Sequence, residues 1–182
     1  MHTITIALFY HLFGINELAV RLPSLIFATA SLILFAMIFI NIFGDYLLAA
    51  AAIFIFSSSN DFSFLSSQGL AEMELLFFCL LAFYLAVKKN YFLSGLALGL
   101  SFLTKSFAVF WVFPTVFTYS ILFDKKELGK KIAKLLSAFV ITISPWHLFM
   151  FTKFGEVFIN RYFVVNTFGR GVAAEANLAP IY

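Results

Sequence analysis

Cysteine is nearly absent from this chain: Cys79 is the single one among 182 residues. A disulfide framework and a cysteine metal site within the chain are therefore excluded. Charge is also scarce, at 12% Asp, Glu, Lys and Arg, and the net balance of +3 is too small to argue for a nucleic-acid partner. No charged residue occurs within residues 22–44, 75–87 or 107–123. The sequence holds no zinc-type histidine pair, phosphate loop, glycine-rich dinucleotide loop or nucleophile elbow. Internal repeats and low-complexity segments are missing too. The opening MHTITIALFYHLFG has neither the basic stretch nor the small-residue cleavage site of a signal peptide. Its apolar run is too short to cross a membrane, so it reads as an interfacial segment or the remnant of something longer.

What is present is apolar surface. The chain is 63% hydrophobic with 27 phenylalanines, and its mean hydropathy is +1.00. A soluble core of this size cannot hide that much, so lipid must be the solvent. The expected fold is all-α, a polytopic transmembrane helix bundle of about six crossings plus interfacial helices. The organising stretch is SSQGLAEMELLFFCLLAFYLAVKK, residues 66–89, where two carboxylates open an apolar helix and two lysines close it. A helix over residues 70–88 would be about 28 Å long at roughly 1.5 Å per residue, close to the roughly 30 Å of a bilayer's hydrocarbon. Lysines mark cytoplasmic ends, so Lys88 and Lys89 are placed inside, and Glu72 and Glu74 on the outer face.

The rest is threaded from that helix. Residues 3–13 are expected to form a half-buried helix, followed by a polar turn and a helix start at Pro23 and Ser24. Crossings are expected at about 24–43, 46–58, 70–88, 91–104, 107–123 and 132–150, with the turn-rich residues 57–67 as an outer loop. Gly95 and Gly99 have the spacing of close helix packing. The loop DKKELGKK, with Lys125, Lys126, Lys130 and Lys131, is the strongest positive cluster and is placed in the cytoplasm. The domain plan is an outer interfacial segment (1–20), six transmembrane helices (22–151) and an amphipathic outer juxtamembrane segment (152–182). This threading gathers Arg21, Glu72, Glu74, Lys105, His147, Arg161 and Arg170 on one face, suited to an anionic, membrane-borne ligand.

Glu72 is the candidate catalytic base, although a carboxylate in a helix's first turn is also what the helix dipole favours. Glu74, two residues on, points elsewhere on a helix. Lys105 lies between two apolar segments with no acid within ten residues. It is expected to be unpaired and available to a phosphate, with snorkelling to headgroups as the plain alternative. Arg21 reads first as an interfacial anchor, His147 as an interface residue after Pro145 and Trp146, and Arg161 and Arg170 as headgroup or phosphate contacts. A site on the outer face has no ready supply of cytoplasmic nucleotides, so a donor used there would be carried by the membrane.

The segments FGINELAVRLPS, QGLAEMELLFF, SGLALGLSFLTKS and SPWHLFMFTKFGEVFINRYFVVNTFGR stand in the order found in integral-membrane glycosyltransferases of the GT-C fold. The chain resembles the bacterial relatives of dolichyl-phosphate-mannose protein mannosyltransferases, including the lipid A aminoarabinose transferases. The resemblance implies an inverting glycosyltransferase moving a hexosyl or pentosyl group from a polyprenyl-phosphate donor to a lipid or protein acceptor. It implies a bacterial inner-membrane protein with its active face outward, and it leaves a divalent-cation requirement open. Glu72 falls where such proteins usually carry an aspartate before a Met or Pro, in the loop entering this helix. Lys105 and Arg170 match donor phosphate-binding positions, and Glu74, Arg21 and His147 are secondary candidates. No residues are assigned to a metal. The family's earlier outer loop, with its principal aspartate and Lys-Pro-Pro-like motif, has no counterpart here, so a fragment inactive by itself is expected. The alternative from another class is a non-enzymatic lipid-phosphate transporter or flippase-like module using the same cationic face.

Overall fold

A computed structural model describes residues 2–105, 112–160 and 162. Among them the chain is all α: α1 (His2–Phe13), α2 (Glu17–Phe43), α3 (Tyr46–Ser57), α4 (Asn60–Ser67), α5 (Glu72–Val87), α6 (Tyr91–Thr104), α7 (Val112–Phe123) and α8 (Leu128–Ile159). The chain divides into two compact units, residues 1–142 and 143–182. In the first, α2 packs on α1, α3, α4 and α5, and α5 packs in turn on α6 and α7. In the second, the rings of Trp146, His147, Phe158 and Tyr162 cluster at centroid distances of 4.8 to 6.1 Å.

Two helices, α2 and α8, are long and apolar enough to cross a membrane, or three if the bent pair α3 and α4 forms one broken span. The six expected crossings therefore reduce to two or three helices of spanning length among the described residues. The expected crossing at 46–58 is a helix of 12 residues, about 18 Å long. It needs α4, bent from it by 68°, to reach across.

Three boundaries depart from the sequence expectation. The second helix starts at Glu17, not at Pro23, because Asn16 caps it: the Asn16 side chain accepts from the Ala19 N–H at 2.8 Å. Pro23 lies inside the helix and is buried. Residues 57–67 are mostly helical, not loop. Ser59 caps α4 by accepting from the Phe62 N–H at 3.2 Å, and the Ser66 and Ser67 hydroxyls donate to carbonyls of their own helix. The serine-rich composition hid a capped helix whose polar groups are satisfied locally. The last helix also runs past residue 150, breaking only at Gly155, where φ is 52° and ψ is −131°.

The glycine spacing on α6 does what it promises. A Cβ on Gly95 would collide with the carbonyl oxygen of Leu135, and one on Gly99 would lie 2.5 Å from Thr142 Cβ. Thus α6 meets α8 backbone to backbone. The buried serines of the first unit fit the same economy of space: Ser94 donates to Ala82 O, Ser101 to Leu98 O and Ser120 to Val116 O.

At the lysine end, Asp124 gathers the first turns of α6 and α8 and the turn that precedes α6. It accepts from Tyr91 Oη at 2.9 Å and pairs with Lys131 Nζ at 2.6 Å and Lys89 Nζ at 4.0 Å. The Lys88/Lys89 turn and the Lys125 loop therefore occupy one end of this unit, as the threading required. The Lys131 hydrogen bond holds the Asp124 carboxyl below its ordinary range, against burial, with help from Tyr91 and Lys89.

Two predictions follow from these packings. Gly95→Ala should lower the thermal midpoint in detergent more than Gly99→Ala, because its neighbour is rigid backbone and Thr142 is a side chain that can yield. Equal shifts would contradict the close approach. For Asp124, the depressed folded value means its ion pairs contribute fully above the unfolded value of about 3.9 and fade as pH falls through the folded one. Asp124→Asn should cost about 1–3 kcal/mol near neutral pH and flatten the loss of stability below about pH 4, read by thermal scans across pH.

Candidate functional site at the mouth of α5

The mouth of α5 is built by the short stretch from Gln68 to Ala71 between two helices. Ala71 gives α5 no side-chain cap, so the first turn depends on the carboxylates it carries and on what holds the stretch ahead of it. The two acids point apart, as two residues on a helix must.

Glu72 faces Lys105. Lys105 Nζ donates to Glu72 Oε1 at 2.8 Å, with the lysine side chain 53% and the glutamate 31% exposed. Lys105 caps the C-terminal end of α6 in extended conformation. The expectation of an unpaired lysine is thus corrected: its partner lies 33 residues away in sequence, beyond any local window, and is brought in by the antiparallel return of α6 along α5.

Glu74 turns inward and is 1% exposed. It is met by α1: His2 Nδ1 lies 3.1 Å from Glu74 Oε2, and Thr5 Oγ1 donates to Glu74 Oε1 at 3.2 Å. The other ring nitrogen of His2 lies 3.1 Å from the Gly69 carbonyl oxygen. Neither His2 nor Thr5 was singled out from sequence. The only signal available was that a buried carboxylate must find donors.

Beside Glu72, a groove of about 440 Å³ is lined by Phe56, Phe62, Leu65 and Leu76, with Ser59, Asp61 and Glu72 as its polar members. Arg21 pairs with Glu17 at 2.6 Å one turn away, and both side chains are well exposed. The pair is local to the first turns of α2. Arg21 does line a smaller cleft with Ser66 and Ser67. His147 belongs to the second unit and its Nδ1 donates to Ile143 O at 2.8 Å within its own helix. Arg161 and Arg170 lie outside the described residues. Among those described, no group of three or more His, Cys, Asp or Glu side chains could hold a metal ion.

An apolar helix bundle with membrane-length helices and a carboxylate–lysine pair at one helix mouth defines an integral membrane protein with a polar site at the end of its helices. The dolichyl-phosphate-mannose-protein mannosyltransferase family matches residues 1–149, and the chain belongs to that family. No curated protein and no solved structure matches it.

Proposed function

We propose that the chain serves a glycosyltransferase that moves a sugar from a polyprenyl-phosphate donor to a lipid or protein acceptor at the outer face of a bacterial plasma membrane. The observation that carries this reading is the Glu72–Lys105 pair at 2.8 Å in a chain of this family. An ammonium has three donors and a carboxylate about four lone-pair sites, and the pair commits one of each. Lys105 thus has donors left for a phosphate, and Glu72 has sites left for an acceptor hydroxyl.

In the transfer, the acceptor oxygen attacks the anomeric carbon from the side opposite the phosphate. The bond to the acceptor forms as the carbon–oxygen bond to the phosphate breaks, the electron pair leaves with the polyprenyl phosphate, and configuration inverts. Glu72 takes the acceptor's proton, and Lys105 offsets the charge growing on the leaving phosphate. The apolar groove beside Glu72 suits a lipid chain. Six crossings remain the topology this role calls for, with residues 1–20 and 152–182 on the outer surface, and with Arg170 as a further phosphate contact.

The transporter alternative needs polar groups free to line a route through the bundle. The buried serines Ser31, Ser101 and Ser120 instead donate to carbonyls of their own helices, which favours the transferase.

In the full gene product, Glu72→Gln should reduce sugar transfer roughly 10²- to 10⁴-fold. Lys105→Ala should chiefly weaken the donor, raising its KM about tenfold or more. Transfer untouched by both changes would leave a structural subunit, and donor movement across the bilayer without transfer would select the transporter. The orientation is tested separately in a Cys79→Ser background: a cysteine at Ser59 should react with an impermeant maleimide from outside and one at Gly129 should not. Protection at Ser59 would reverse the assignment of faces.

A further inference from the structure

The stretch from Gln68 to Ala71 delivers Glu72 to Lys105, yet it has no regular structure and gives α5 no side-chain cap. Its carbonyls are held from outside. Ser24 Oγ of α2 donates to Leu70 O at 3.2 Å, Val20 of α2 fills the space where a Gly69 side chain would stand, and the His2 ring of α1 reaches Gly69 O at 3.1 Å. His2 is also the group that meets Glu74, the most deeply buried carboxylate described.

The chemistry of these partners fixes the protons. A carbonyl oxygen only accepts, so His2 Nε2 must carry hydrogen to bond Gly69. A further proton must then lie between Nδ1 and Glu74 Oε2, since otherwise two lone pairs would face each other at 3.1 Å. Thr5 donates to the other carboxylate oxygen. The assembly thus links the ring, the buried carboxyl and the loop carbonyl in one chain of hydrogen bonds.

We propose that His2 is a positioning residue: bridging Glu74 and the Gly69 carbonyl, it holds the 68–71 stretch so that Glu72 meets Lys105. Its effect on chemistry runs through Glu72, and in that respect it rests on the transferase reading. The geometry itself does not, and the test is chosen to separate the two.

A zero-length carbodiimide joins a carboxylate to an amine in contact with it, forming an amide as the reagent takes up the water released. In the full chain in detergent, peptide mass spectrometry should find both a Glu72–Lys105 product and, at the opposite end, an Asp124–Lys131 product. His2→Ala should reduce the first roughly tenfold, since a displacement of about 1 Å suffices to lose such reactivity, and leave the second unchanged. Glu74→Gln should retain the first, because a Gln amide can donate to Nδ1 while Nε2 keeps its bond to Gly69, whereas Glu74→Ala should lose it. An unchanged Glu72–Lys105 product in His2→Ala overturns the proposal. Loss of both products overturns it too, by showing that His2 holds the bundle as a whole rather than its mouth. Failure of the transferase reading would look different: the cross-linking pattern would stand while Glu72 and Lys105 variants of the full gene product transferred sugar normally.

Discussion

The antiparallel return of α6 along α5 governs how the first unit works. The helices have 16 and 14 residues, about 24 and 21 Å, joined by a tight turn at Lys88 to Asn90 in which Lys89 takes a positive φ of 60°. Near-equal lengths bring the end of α6 back to the level where α5 began. Lys105 must therefore arrive beside Glu72, as Lys89 must stay at the other end beside Asp124. Lipid imposes the same arrangement from outside: a charge at a helix centre costs about 2.5–3.5 kcal/mol on insertion scales. Charges are pushed to the ends, and the hairpin decides which of them meet.

That hairpin holds its place because its faces are thin. Gly95 and Gly99 let α8 approach the backbone of α6, and Ser94 reaches across to the Ala82 carbonyl of α5 at 2.7 Å. Between apolar helices in lipid there is little hydrophobic gain in association, so close van der Waals contact and hydrogen bonds must do the holding. Small residues on α6 and the Asp124 cluster at its far end satisfy that requirement together. The mouth can then tolerate an exposed ion pair whose own contribution to stability is small.

Much of this was readable from residues alone. Charge-free runs and lysine ends located the helices, and glycine spacing located the tight contact. The even count of segments between the lysine clusters put Lys105 on the Glu72 side. What could not be read was partnership at long sequence range: Lys105 with Glu72, and Glu74 with His2 and Thr5. Composition also conceals helix caps. Asn16 caps a helix that starts six residues before Pro23, and Ser59 caps one inside a serine-rich stretch, because serine and asparagine favour turns and helix starts by the same side-chain hydrogen bonds.

The two carboxylates at the mouth show how one short motif sets like groups in unlike surroundings. Glu72 and Glu74 are chemically identical and two residues apart, yet one is 31% exposed and the other 1%. A buried carboxylate without donors would carry a desolvation cost too large to sustain, so Glu74 exists only together with His2 and Thr5, and its oxygens are committed to them. Glu72, about a third exposed, is instead bonded to an exposed ammonium and stays open to water. The difference in burial follows from which face of α5 each residue occupies, and that is set by the helix repeat once Ala71 has ended the preceding stretch.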